Sequence, residues 1–169
     1  MSVQLHRQTA PHTVACAILT VSDTRTTDTD KSGATIAELL VAADHTIASR
    51  DIVTDDATAV TAAVRALLNG PAAAIITSGG TGVAARDNTY EAVSGLFEKR
   101  IDGFGELFRM LSYEVIGSAA MLSRACAGTA NGKVIFMLPG STPAVKLAMA
   151  RLVIPELAHI VGELTKKDS

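Results

Sequence analysis

Three short stretches of this chain are apolar almost from end to end: VACAILTV (Val14–Val21), AAAIIT (Ala72–Thr77) and VIFML (Val134–Leu138). A strand with one face in water alternates apolar and polar residues, whereas a strand covered on both faces does not need to. Each run is too short for a membrane span and is bounded by polar or turn-forming residues. They are therefore predicted to be interior strands of one sheet.

The segments between them carry a helical period. SGATIAELLVAAD (Ser32–Asp44) places Ile36, Leu39, Leu40 and Ala43 on one face, with Ser32 as the expected N-cap. DDATAVTAAVRALLN (Asp55–Asn69) aligns Val60, Val64, Leu67 and Leu68, and Asn69-Gly70-Pro71 ends it. NTYEAVSGLF can form a short helix. GFGELFRMLSYEVIG (Gly103–Gly117) puts Phe104, Leu107, Phe108, Leu111 and Val115 in a stripe. Met110 and Tyr113 lie off that stripe and offer a second apolar face for a subunit contact. Thr46–Val53 reads as a strand near an edge, and SAAMLSRACAGTANGK as a helical turn followed by an edge strand. The last helix, Thr142–Leu164, should be kinked or divided by Pro155.

Strand and helix thus alternate along the chain. The expected fold is α/β with three layers: a mostly parallel sheet, helices on both faces, and a Rossmann-like arrangement. With 169 residues and no linker or repeat, we expect a single domain over 13–165 after an N-terminal extension over 1–12.

Composition closes off several functions. The net charge is −2 and no basic run stands out, which argues against a nucleic-acid or anionic-membrane surface. Cys16 and Cys126 stand far apart among small apolar residues, as buried thiols do, and the four histidines form no metal-ligand pair. The opening MSVQLHRQTAPHT lacks the apolar core of a signal peptide, so a cytoplasmic protein is expected.

In a parallel sheet the ligand sits beyond the C-terminal strand ends. Three polar loops are predicted there, beginning at Ser22, Ser78 and Pro139. The second, SGGTGVAARDNT, admits three readings. A P-loop is excluded, because the only Gly-Lys pair, Gly132–Lys133, precedes a strand. A dinucleotide fingerprint matches Gly80-x-Gly82-x-x-Ala85, but it follows the third strand instead of the first. Asp102, the acid at about the right spacing, sits in a turn. The third is an anion-binding turn in which Gly79, Gly80, Thr81 and Gly82 present amides, aided by the Ser78 and Thr81 hydroxyls. A plain tight turn stays open beside it.

Asp87, and likewise Asp55 and Asp56, stand where a helix begins, and spacing alone gives them the place of N-caps. A second reading makes Asp55 and Asp87 partners in Mg²⁺ binding, since a carboxylate beside a polyphosphate is repulsive unless a cation lies between them. Arg86 would add positive charge. That arrangement suits nucleotidyl or phosphoryl transfer. The loop PGSTP (Pro139–Pro143) would start a helix whose N-terminus, capped by Ser141 or Thr142, offers further N–H groups to an anion.

TSGGTGVAARDNT, together with ILTVSDTRT, DKSG, DGFGELFRMLSYEVIGSAAMLSRACAG and LPGSTPAV, resembles the molybdopterin-binding family of molybdenum cofactor biosynthesis, its MoaB branch most closely. The resemblance runs from about Thr13 to the last helix. It implies a three-layer fold and a pterin site over the strand ends. It further implies adenylylation of molybdopterin by ATP with Mg²⁺, releasing pyrophosphate. The family's catalytic and metal-binding acids fall on Asp55 and Asp87. Its substrate-binding motifs fall on Ser22 and Asp23, on Ser78 to Gly82, and on Pro139, Gly140, Ser141 and Thr142. Ser78 stands where the family more often has threonine, and Asn88-Thr89-Tyr90 replaces its usual Val-Thr-Pro or Val-Thr-Ile. A homotrimer or homohexamer is implied, with a molybdate insertase as a candidate partner. Two other functions stay open: a pterin-binding carrier without catalysis, and a dinucleotide-dependent oxidoreductase.

Overall fold

A computed structural model describes residues 3–166; the first two residues of the expected 1–12 extension lie outside them. Six strands form one sheet: β1 (Ala15–Val21), β2 (Thr46–Val53), β3 (Ala74–Ser78), β4 (Lys99–Arg100), β5 (Cys126–Ala130) and β6 (Lys133–Leu138). Their order is β2-β1-β3-β6-β5-β4. The first four in that order are mutually parallel, and β5 and β4 continue the sheet antiparallel. The three apolar runs are the three interior parallel strands, as their composition requires.

Alternate residues of these strands feed two separate cores. Cys16, Ile18, Ala74, Ile76, Val134 and Phe136 face one way. Ala17, Leu19, Ile75, Ile135 and Met137 face the other. Seven helices cover the faces among the described residues: α1 (Val3–Gln8), α2 (Lys31–Ala42), α3 (Ala57–Leu68), α4 (Thr89–Ser94), α5 (Asp102–Ile116), α6 (Thr142–Ala148) and α7 (Ile154–Thr165). Helices α2, α5, α6 and α7 close the first core with Ile36, Leu40, Phe104, Phe108, Val145 and Leu157. Helices α3 and α4 close the second with Val60, Val64, Leu68 and Val93. Burial pushes the Cys16 thiol up to about 12 and that of Cys126 to about 11, so both are packing residues.

Several expectations need correction. Ser32 does not cap α2. Asp30 does, accepting the Gly33 N–H at 3.0 Å, while the Ser32 hydroxyl reaches across to the Gly140 carbonyl. The stripe expected on α5 is displaced: Phe104, Gly105, Phe108, Leu111 and Ser112 are buried, while Leu107 and Val115 are exposed. Strand β5 is not the edge, because Lys99 and Arg100 pair with Thr129 and Gly128 beyond it. The last helix, by contrast, is divided as expected: a π-type turn over Met149–Val153 interrupts it just before Pro155, which sits in the first turn of α7.

Register fixes where the loops emerge. Thr20 pairs with Ser78 and Ser78 with Leu138, while Val21 pairs with Val53. All four parallel strands therefore end level. The loops starting at Ser22, Thr54, Gly79 and Pro139 leave the sheet side by side, and the topological switch falls between β1 and β3.

Candidate functional site

Gly79 and Gly80 turn the chain sharply off β3, with φ of 98° and 66°, a region that side chains disfavour. A Cβ on Gly79 would lie 2.3 Å from the Val21 carbonyl oxygen, and one on Gly80 would lie 2.0 Å from Thr89 Oγ1. The loop after β3 is thus pressed against the end of β1 on one side and the start of α4 on the other. The Gly79 N–H donates to the Leu138 carbonyl at 3.0 Å and the Thr89 N–H to the Gly80 carbonyl at 3.1 Å. Helix α4 begins seven residues beyond the last glycine of the turn, whereas a dinucleotide fingerprint opens directly into its helix. The hydroxyls of Ser78 and Thr89 are fully buried and find no partner among the described residues.

Of the three acids that spacing alone places as N-caps, only Asp56 takes that role. Asp56, not Asp55, caps α3, through the Ala59 N–H at 2.8 Å. Asn88, not Asp87, occupies the N-cap position of α4, and its side chain makes no capping bond. Asp55 and Asp87 are thereby free to face a common cavity of about 210 Å³. Ser22, Asp23, Gly80 and Arg86 also line it. Each of the three carboxylates has one oxygen steered by a backbone amide. Asp23 accepts the Asp55 N–H at 2.9 Å, Asp55 the Asn88 N–H at 3.3 Å, and Asp87 the Ala84 N–H at 2.8 Å. Partial burial raises the Asp55 pKa; the Asn88 amide opposes this, and the nearby charges of Asp87 and Asp23 reinforce it.

This donor set fits Mg²⁺. Among the described residues no three His, Cys, Asp or Glu side chains converge to form a metal cage by themselves. Mg²⁺ needs none: it is held by one or two carboxylates together with substrate phosphates and water. Asp55 and Asp87 would hold it here. Their mutual repulsion is what a divalent cation relieves.

A second cavity of about 430 Å³ opens beside the first. Its floor is Gly79–Gly82 with Pro139 and Gly140, and its walls are Phe108, Ser112, Ile116 and Leu122. Gly80 and Asp87 belong to both cavities. The third loop is braced by Ser32, whose hydroxyl donates to the Gly140 carbonyl at 2.7 Å, and by Arg25, which donates to the same oxygen at 3.0 Å. Ser141 caps α6, accepting the Ala144 N–H, and Thr142 begins the helix. The Ser22 hydroxyl accepts the Thr24 and Arg25 amides and so shapes its own turn.

Every residue expected at the site thus sits at this rim, though not all face a cavity. Ser78 is sealed beneath the loop. Sequence reasoning missed the wall from Phe108 to Leu122, because one helix face and a 3-10 turn (Gly117–Leu122) meet there only in three dimensions.

Comparison with known proteins decides the family. The probable molybdopterin binding domain matches residues 17–159. The chain belongs to the molybdenum cofactor biosynthesis family. Molybdenum cofactor biosynthesis protein B of Halalkalibacterium halodurans is 55% identical over 98% of this chain and 99% of its own. Its namesake in Bacillus subtilis is 52% identical over the same shares. A crystal structure of a protein B matches with a TM-score of 0.91 and 53% identity, covering 94% of this chain and 99% of that one. A tungsten cofactor synthesizing MoaB from Pyrococcus furiosus matches at 0.84 and 37%, covering 93% and 100%. Among the described residues, no helix of this family member is long and apolar enough to cross a membrane.

Proposed function

We propose that the chain binds molybdopterin and adenylylates its phosphate with ATP and Mg²⁺, releasing pyrophosphate. The observation that carries this reading is the shared wall: Asp87 and Gly80 separate an acidic cavity from a larger one with apolar sides. The acidic side suits a metal-bound triphosphate, and the other suits a flat heterocycle whose phosphate reaches the glycine turn. The reacting phosphates would then meet over Gly80, where backbone amides are the available donors.

An oxygen of the pterin phosphate attacks the α-phosphorus of ATP, and the bond to the β-phosphate oxygen breaks in line with it. Bound Mg²⁺ would offset the negative charge gathered there. The protein's part is positioning and charge. The Gly79 amide is spent on the Leu138 carbonyl, so the amides of Gly80–Gly82 would hold phosphate oxygens, Asp55 and Asp87 would hold the cation, and Arg86, on the same cavity, would add positive charge. No protein nucleophile is needed.

Asp87→Asn tests the assignment. Asn can still accept the Ala84 N–H, so the turn should survive and molybdopterin should still bind. Pyrophosphate release should fall at least ~100-fold. Unchanged turnover in this variant would remove Asp87 from the mechanism. Saturable molybdopterin binding without any turnover in the wild-type protein would make it a carrier.

A further inference from the structure

Arg124 leaves the chain between the 3-10 turn and β5, yet its polar atoms are directed at the segment that carries Asp87. Its N–H donates to the Thr81 carbonyl at 3.1 Å, Nε to the Gly82 carbonyl at 2.8 Å, and Nη2 to the Asp87 carbonyl at 3.0 Å. The guanidinium is held in turn by the Glu91 carboxylate and lies over the Tyr90 ring, 4.9 Å from its centre. One planar group therefore ties down both ends of the stretch from Gly82 to Asp87.

Between those ends the stretch has little else. Residues 83–86 are exposed and belong to no helix or strand. Within it, the Asp87 N–H donates to the Ala84 carbonyl at 2.9 Å, and the Ala84 N–H donates to the Asp87 carboxylate. The turn is thus closed partly by the acid that the chemistry needs, and its placement depends on what grips it from outside.

We infer that Arg124 is a positioning residue that sets the Gly82–Asp87 turn and, through it, the Asp87 carboxylate at the wall between the two cavities. The inference rests on the reading of Asp87 given above. Arg124 grips the turn through main-chain carbonyls, not through that carboxylate, and lines neither cavity, so it is not a catalytic residue. The arrangement requires a fork: a lysine ammonium is a point donor and cannot span two carbonyls and a carboxylate in one plane. The Glu91 carboxyl is held below its ordinary range chiefly by its hydrogen bond from Arg124.

The test compares the full-length wild type with Arg124→Ala, Arg124→Lys and Glu91→Gln. Hydrogen exchange is followed at the amides of Ala84, Asp87, Asn88 and Thr89, each of which is bonded within or against this turn. In both Arg124 variants these amides should exchange roughly tenfold faster or more, while those of β1, β3 and β6 keep their wild-type rates. Glu91→Gln should show a smaller increase at the same amides. For pyrophosphate release, kcat should fall roughly 10- to 100-fold in Arg124→Ala. KM for molybdopterin should stay within about threefold. Unchanged exchange at the four amides, wild-type exchange in Arg124→Lys, or an increase spread evenly over the sheet would each overturn the inference. If the wild type releases no pyrophosphate, the proposed reaction falls, and the exchange pattern still decides what Arg124 does.

Discussion

Asp55 is held in a setting that favours its neutral form: burial raises its pKa, and the charges of Asp87 and Asp23 push the same way. A carboxyl whose folded pKa lies above its unfolded value of about 3.9 contributes its full stability below that value. The contribution is lost as pH rises through the folded pKa, so at neutral pH the ionised Asp55 is a burden on the free protein. Asp55→Asn keeps the acceptor for the Asn88 N–H and removes the charge. Its melting temperature at pH 7 should exceed the wild type's by about 1–2 °C. The gain should vanish near pH 3 and pyrophosphate release should be abolished, so a variant less stable than wild type at pH 7 would refute this account of the site. The sequence singled out Asp55 and Asp87 from two separate loops, and the structure brings both to one cavity. Asp55 and Asp56 are equivalent as candidate caps, and only the direction of the chain leaving β2 decides which one turns inward.

At the scale of elements, α2 depends most on a single side chain. Asp30 is 1% exposed; it caps the helix, accepts the Thr20 hydroxyl at 2.7 Å and lies between Arg50 and Arg25. Asp30→Ala removes the cap, strands a buried hydroxyl and leaves two partly buried guanidinium groups without their acid. The expected loss is about 3 kcal/mol, measurable by urea unfolding. A loss below ~1 kcal/mol would show that water replaces the carboxylate there. The expectation for Ser32 failed because capping preference is a local signal, and Ser32 is recruited by Gly140 more than 100 residues away. Elements governed by burial were more legible: β1, β3 and β6 follow from composition alone. Strand β4, two exposed residues paired to β5, carries no pattern that a sequence could display.

The whole molecule leaves one face unfinished. Helical period puts Val115 on the same arc as Phe104, Phe108 and Leu111, yet it is 71% exposed. The stripe read from the sequence continues past the point where the chain supplies anything to cover it. Ile116, Met121 and Leu122 are exposed beside it, and Met110 and Tyr113 on the next face of α5. So many large apolar side chains on one helix and the turn after it exceed what scattered surface residues explain. We therefore expect this surface to join copies of the chain, and to do so next to the site, because Ile116 and Leu122 also wall the larger cavity; that the assembly is a trimer or hexamer is what the family resemblance implies. Met121→Asp, at a position 73% exposed here, would place a charge inside that contact without disturbing the core of a single chain. Light scattering should then show the wild type as a defined oligomer and the variant shifted towards monomer, with far-ultraviolet dichroism unchanged. A wild-type protein that stays monomeric at micromolar concentration would mean that the exposed arc of α5 serves something other than self-association.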